Sequence, residues 1–133
     1  ATMREIPGLL TAGLLAVVFT LARTQGPGRA DEPEGAAFFN ARIRPILVEH
    51  CYQCHSDRTT RPEAGLRLDT REGLRKGGNS GPIIESGKPD DSLLIRALEY
   101  ASEDARMPPK GRLPDPVIED FRTWIAQGAP DPR

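Results

Sequence analysis

Two cysteines three residues apart, with a histidine directly behind the second, constrain this chain more than any other feature: Cys51-Tyr52-Gln53-Cys54-His55. On one helical turn, positions i and i+3 share a face. Both sulfurs can therefore form thioethers to the two vinyl groups of a single porphyrin. His55 falls one place further round, where its imidazole can approach the iron as an axial ligand. The pattern predicts one covalent haem c, joined through Cys51 and Cys54. A tethered haem also offers apolar surface to a small chain that has little core of its own.

Other uses of a Cys-x-x-Cys pair fit less well. A thioredoxin-like dithiol follows a strand, whereas the residues ahead of Cys51 carry helical periodicity. A structural zinc takes four ligands, and the chain holds two Cys and two His, the histidines being His50 and His55 in the same stretch. A disulfide at this spacing is short and strained. It leaves one rival, a haem-free interaction module whose cysteine pair is oxidised.

The 133 residues suffice for one domain behind a leader. Ala1-Thr2 precede the first methionine, either as added residues or as part of an upstream start; Arg4 then supplies a positive end. Leu9 to Ala22 is apolar apart from Thr and Gly, and Gly28 and Ala30 suit a cleavage site. Residues 1–30 are thus expected to be a secretory signal and 31–133 the exported domain, in the periplasm or an equivalent extracytoplasmic compartment. The apolar run is shorter than the ~20 residues of a spanning helix, so no stable membrane anchor is expected after cleavage. With a formal charge of −1 and no basic cluster, nucleic acid is not an expected partner.

Glycine and proline, 13 of each, predict long loops between a few helices. Phe39, Ile43, Ile46 and Leu47 make a helical face running into Cys51, with a kink or late start expected at Pro45. Leu66-Arg67-Leu68 reads as a short extended segment that pairs with Ile83-Ile84. Thr70 to Lys76 reads as one or two helical turns, and Gly77 to Pro82 as a flexible turn unlike a phosphate loop. Gly87 to Ser92 is expected to open a helix buried through Leu94, Ile95 and Leu98. In the last helix Asp115 is expected to cap, Pro116 to take the first turn, and Val117, Phe121, Trp124 and Ile125 to face the core.

A second axial ligand is reached by elimination. His50 sits beside the tethered Cys51, too close along the backbone to reach the opposite face. Met107 is the only methionine outside the leader. Pro108 biases its backbone towards extended geometry, and Pro109 stiffens the next stretch of chain. A thioether there is an expected iron ligand; Lys76, Lys88, Lys110 or an open position are the alternatives. Lys110 and Arg112 read as residues of a solvated loop.

Taken together, these stretches resemble an all-α class I cytochrome c-like fold, with long loops around one covalently bound haem. More narrowly, the chain resembles a planctomycete-type cytochrome c domain. The resemblance rests on Ile43-Arg44-Pro45-Ile46-Leu47, the Cys51–His55 motif, Gly65-Leu66-Arg67-Leu68-Asp69, Lys76-Gly77-Gly78, Gly87-Lys88-Pro89, Ser92-Leu93-Leu94-Ile95, Met107-Pro108-Pro109 and Trp124-Ile125, and covers roughly residues 36–130. It implies an exported mono-haem carrier of single electrons, with His55 and Met107 as iron ligands. Redox proteins, or a fused or associated exported enzyme, are the implied partners. An alternative is a haem-bearing N-terminal piece of a larger exported enzyme or sensor whose distal site opens, although the chain offers no distal acid–base group.

Overall fold

A computed structural model describes Thr2 and residues 34–133; apart from Thr2, the expected leader lies outside the described residues, as does its cleavage site. The chain divides into units 1–30 and 31–133, and the second is helical, with no strand among the described residues. Its helices are α1 (Glu34–Phe38), α2 (Arg44–His50), α3 (Arg71–Lys76), α4 (Leu93–Leu98) and α5 (Asp115–Ala126). Two single 3-10 turns, Glu63–Gly65 and Glu103–Ala105, punctuate the loops. This is the all-α architecture expected of a class I cytochrome c-like chain. None of these helices is long and apolar enough to cross a membrane.

The kink expected at Pro45 takes a specific form. Proline has no N–H to give to the ladder, and its ring crowds the carbonyl four residues back. Between α1 and α2 the chain widens into a π turn over Phe39–Ile43, and the Arg44 N–H bonds back to the Phe39 carbonyl. The extra residue rotates the face, so that Phe39, Ile43 and Leu47 are all fully buried. α5 packs across this stretch and against α4. Trp124 sits at the crossing, its ring 5.7 Å from Phe39 and 6.1 Å, edge-on, from Phe121. Its indole N–H donates to the Pro130 carbonyl at 2.8 Å, so the polar atom of the largest core side chain is satisfied.

Three local expectations are corrected. Ile83-Ile84 does not pair with Leu66-Leu68. The Leu68 N–H instead bonds the His55 carbonyl at 2.8 Å, and the Ile83 carbonyl receives the Leu94 N–H at 2.9 Å. The helix after Gly87 starts only at Leu93, because the buried Ser92 hydroxyl holds the preceding segment as a closed loop. It accepts from the Glu85 N–H at 2.9 Å and donates to the Lys88 carbonyl at 2.9 Å. Asp115 does not cap α5; it is the first helical residue, and its carboxylate pairs with Arg112 at 2.6 Å. Thr70 does cap α3, accepting from the Gly73 N–H at 3.0 Å.

The glycine-rich turn is tied back rather than free. Asn79 donates its N–H to the Ala64 carbonyl at 2.8 Å, and Gly78 and Gly81 form an isolated antiparallel bridge. Gly77 adopts φ of 77°, and a β-carbon there would stand 2.1 Å from the Gly81 carbonyl oxygen. Only glycine satisfies both the left-handed backbone and the close approach.

Candidate functional site

α2 delivers the cysteine motif. Cys51 N–H bonds the Leu47 carbonyl at 3.0 Å, and the His55 N–H closes a further turn on the Cys51 carbonyl at 2.9 Å. Residues 51–55 therefore continue the helical winding, which sets Cys51 and Cys54 on one side of a single turn. Both cysteines are free thiols. Cys51 is half-buried, and burial, with a smaller contribution from Cys54, pushes its thiol up to about 11. Cys54 is exposed.

His55 is buried, and its ring is oriented by one hydrogen bond. Nδ1 lies 3.1 Å from the Glu63 carbonyl oxygen. A carbonyl only accepts, so Nδ1 is the donor in this contact. Among the described residues Nδ1 is the ring nitrogen that carries the hydrogen bond, and none is recorded at Nε2. Such an arrangement, one nitrogen anchored to a backbone carbonyl and the other free, is what a metal-binding imidazole requires. Two reduced thiols on one turn and a pre-set imidazole behind them fit the attachment of haem c. Among the described residues no three His, Cys, Asp or Glu side chains are grouped to hold a bare metal ion.

The segment after Met107 returns to the motif. Glu49, His50, Gln53 and Cys54 on one side and residues 108–114 on the other line a cleft of about 460 Å³, within the range of cofactor sites. Lys110 Nζ donates to Gln53 Oε1 at 3.5 Å across its mouth. Cys54 and the Met-Pro-Pro loop are thus brought together, whereas neither His55 nor Met107 is among the cleft-lining side chains. Met107 is 38% exposed. Its N–H is held by the Ala97 carbonyl at 3.1 Å, at the end of α4. His50, set aside as a distal ligand, shares the cleft with Pro108 and Pro109.

Several residues around the site carry no signal in the sequence. The Glu63 carbonyl that orients His55 is backbone, and any residue supplies one. Arg133 donates to the Tyr52 hydroxyl at 2.6 Å and to the Leu68 carbonyl at 2.9 Å, with its guanidinium 4.9 Å from the Phe39 ring centre. Burial alone lowers its basicity, but the hydrogen bonds and charge of Asp131 outweigh that and raise it. Tyr100 donates to the Pro108 carbonyl from a left-handed backbone, φ 61°. That conformation costs a non-glycine residue roughly 1–2 kcal/mol.

Residues 51–111 match the family model described as Planctomycete cytochrome C. The match starts on Cys51 and ends just past Met107, so it takes in the cysteine motif and the Met-Pro-Pro loop but neither α2 nor α5. The family is the one the sequence resembles. No curated protein and no solved structure matches the chain.

Proposed function

We propose that this chain, whose residues 51–111 match the Planctomycete cytochrome C family, is an exported mono-haem carrier of single electrons. In this reading haem c is joined through Cys51 and Cys54, with His55 Nε2 and the Met107 thioether as the two iron ligands. The observation that carries it is the His55–Glu63 hydrogen bond, which commits Nδ1 to a backbone carbonyl and leaves Nε2 as the nitrogen available to iron. When bound, the haem supplies a one-electron ferric–ferrous couple.

The protein's own residues hold and shield that couple. The helical turn at 51–55 presents both thiols together, and the Glu63 carbonyl keeps the imidazole in one tautomer. A thioether is a soft ligand that favours the reduced iron, so Met107 is the main lever on potential. Trp124 and Phe121 hold α5 against the turn that feeds into α2, which keeps the motif rigid. The partners are redox proteins, or an exported enzyme associated with or fused to this domain. Residues 1–30 serve export, which places haem attachment outside the cytoplasm.

A second reading, a distal site that opens to an added ligand, draws on the exposure of Met107. Expression with haem-attachment machinery separates the possibilities. The intact mass is expected to exceed the mature polypeptide by one haem, and the ferric spectrum to show a weak far-red sulfur-to-iron band. Met107→Ala should abolish that band, lower the midpoint potential and leave the haem covalent. Haem extractable by acid acetone from the unmodified protein would sink the attachment. A band that survives Met107→Ala would sink the ligand assignment.

A further inference from the structure

We propose that Tyr100 is the residue that positions Met107, a clamp whose hydroxyl closes the Met-Pro-Pro loop; the proposal rests on Met107 being the distal ligand. α4 ends in a Schellman motif. The Ala101 N–H bonds the Arg96 carbonyl at 2.9 Å and the Tyr100 N–H bonds the Ala97 carbonyl at 3.2 Å. The position Tyr100 occupies is the left-handed one where glycine is the usual residue, and an aromatic side chain there is strained. Nothing in helix termination asks for a tyrosine at that place. Its side chain accounts for it: the hydroxyl donates to the carbonyl of Pro108, and Arg106 stands 5.8 Å from the ring centre.

Met107 is therefore bracketed by one short device. Its own N–H bonds the Ala97 carbonyl at 3.1 Å, the same carbonyl that receives the Tyr100 N–H. The guanidinium of the residue before it lies 5.8 Å from the Tyr100 ring centre, and the carbonyl of the residue after it accepts from the Tyr100 hydroxyl. Two hydrogen bonds to the end of α4, from the Met107 N–H and to the Pro108 carbonyl, hold the backbone of a residue that is itself 38% exposed. An exposed thioether keeps its place over an iron only if its backbone cannot swing away, so the clamp governs how often the distal position opens.

The test uses the holo-protein, Tyr100→Phe, and imidazole as the displacing probe. Phenylalanine keeps the ring and the backbone strain and removes only the hydroxyl. The far-red band is expected to persist in Tyr100→Phe, while imidazole displaces the sulfur roughly three- to tenfold faster, the loss of one hydrogen bond. Thermal melting followed by far-ultraviolet circular dichroism reports any general loosening. An unchanged imidazole rate with the band present in both proteins overturns the clamp while leaving Met107 as ligand. A faster rate accompanied by melting lowered as much as in a core variant such as Ile95→Ala is general destabilisation, and it too overturns the clamp. A band missing from the unmodified protein overturns the ligand assignment and the clamp together.

Discussion

Arg133 reaches back along 81 residues of chain to donate a 2.6 Å hydrogen bond to the hydroxyl of Tyr52, inside the cysteine motif. The same guanidinium caps the Leu68 carbonyl, whose own N–H bonds the carbonyl of His55. It is neutralised by Asp131 at 2.6 Å, with side-chain exposures of 13% and 3%. A largely buried ion pair is thus linked through Leu68 to the backbone of His55. Such a pair orders its neighbours more than it stabilises them, because desolvation offsets most of the attraction.

Breaking that pair on one side leaves the buried Asp131 carboxylate without its counter-charge. Arg133→Met is expected to cost about 3 kcal/mol in urea unfolding, the low end for a buried pair. Adding Asp131→Asn should recover part of that loss. Tyr52→Phe, which removes one partner hydrogen bond, should cost only about 1 kcal/mol. Equal losses for Arg133→Met and Tyr52→Phe would contradict this account of the network.

Trp124 is the centre of the core, fully buried between Phe39 and Phe121 with its N–H satisfied. Trp124→Ala should destabilise by about 3–5 kcal/mol. Trp124→Phe keeps much of the volume but orphans the Pro130 carbonyl, and should fall clearly below that. Denaturation midpoints of the three proteins provide the comparison.

The two thiols differ in environment, and haem-free protein should show it. Cys54 is exposed, while burial pushes the Cys51 thiol up to about 11. Iodoacetamide at pH 8 is expected to label Cys54 first, and Cys51 only slowly unless the fold is opened by denaturant. Peptide mass mapping against time reads the order directly. Simultaneous labelling of both sites in the folded protein would be the contrary result.

Asp69 sits at the end of the loop beyond the motif. Burial alone would raise its carboxyl, but hydrogen bonds from the Asp57 backbone and from Arg67 outweigh that and bring it down to about 2. A folded value below the unfolded one means that the stabilisation is present above the ordinary carboxylate value. It is lost as the pH falls from 3.8 towards 2. Asp69→Asn should therefore be less stable than the unmodified protein at pH 7, with the gap closing over that acid window. A gap that stays constant down to pH 2 would rule out the linkage.

The sequence by itself determined what depends on neighbours along the chain. Cys51, Cys54 and His55 are read from spacing, and the helix leading into them from the recurrence of Phe39, Ile43 and Leu47. The break near Pro45 follows from its missing N–H, and the buried face of α5 from Phe121, Trp124 and Ile125. Apart from the proline break, these rest on periods of three to four residues, which helical geometry converts directly into a shared face. The helix starts were less legible, since Ser92 and Asp115 spend their oxygens on a loop and on Arg112 rather than on caps.

Only the tertiary structure decided how the site is held. The Glu63 carbonyl lies 8 residues past His55, Lys110 lies 57 past Gln53, and Arg133 lies 81 past Tyr52. Partners of that kind are chosen by how the loops close. The Glu63 partner is a backbone carbonyl, which every residue carries, so no residue type marks it in advance. Tyr100 is the sharpest case: its role comes from a left-handed backbone and a proline carbonyl eight residues on, neither of which has any period for a sequence to display.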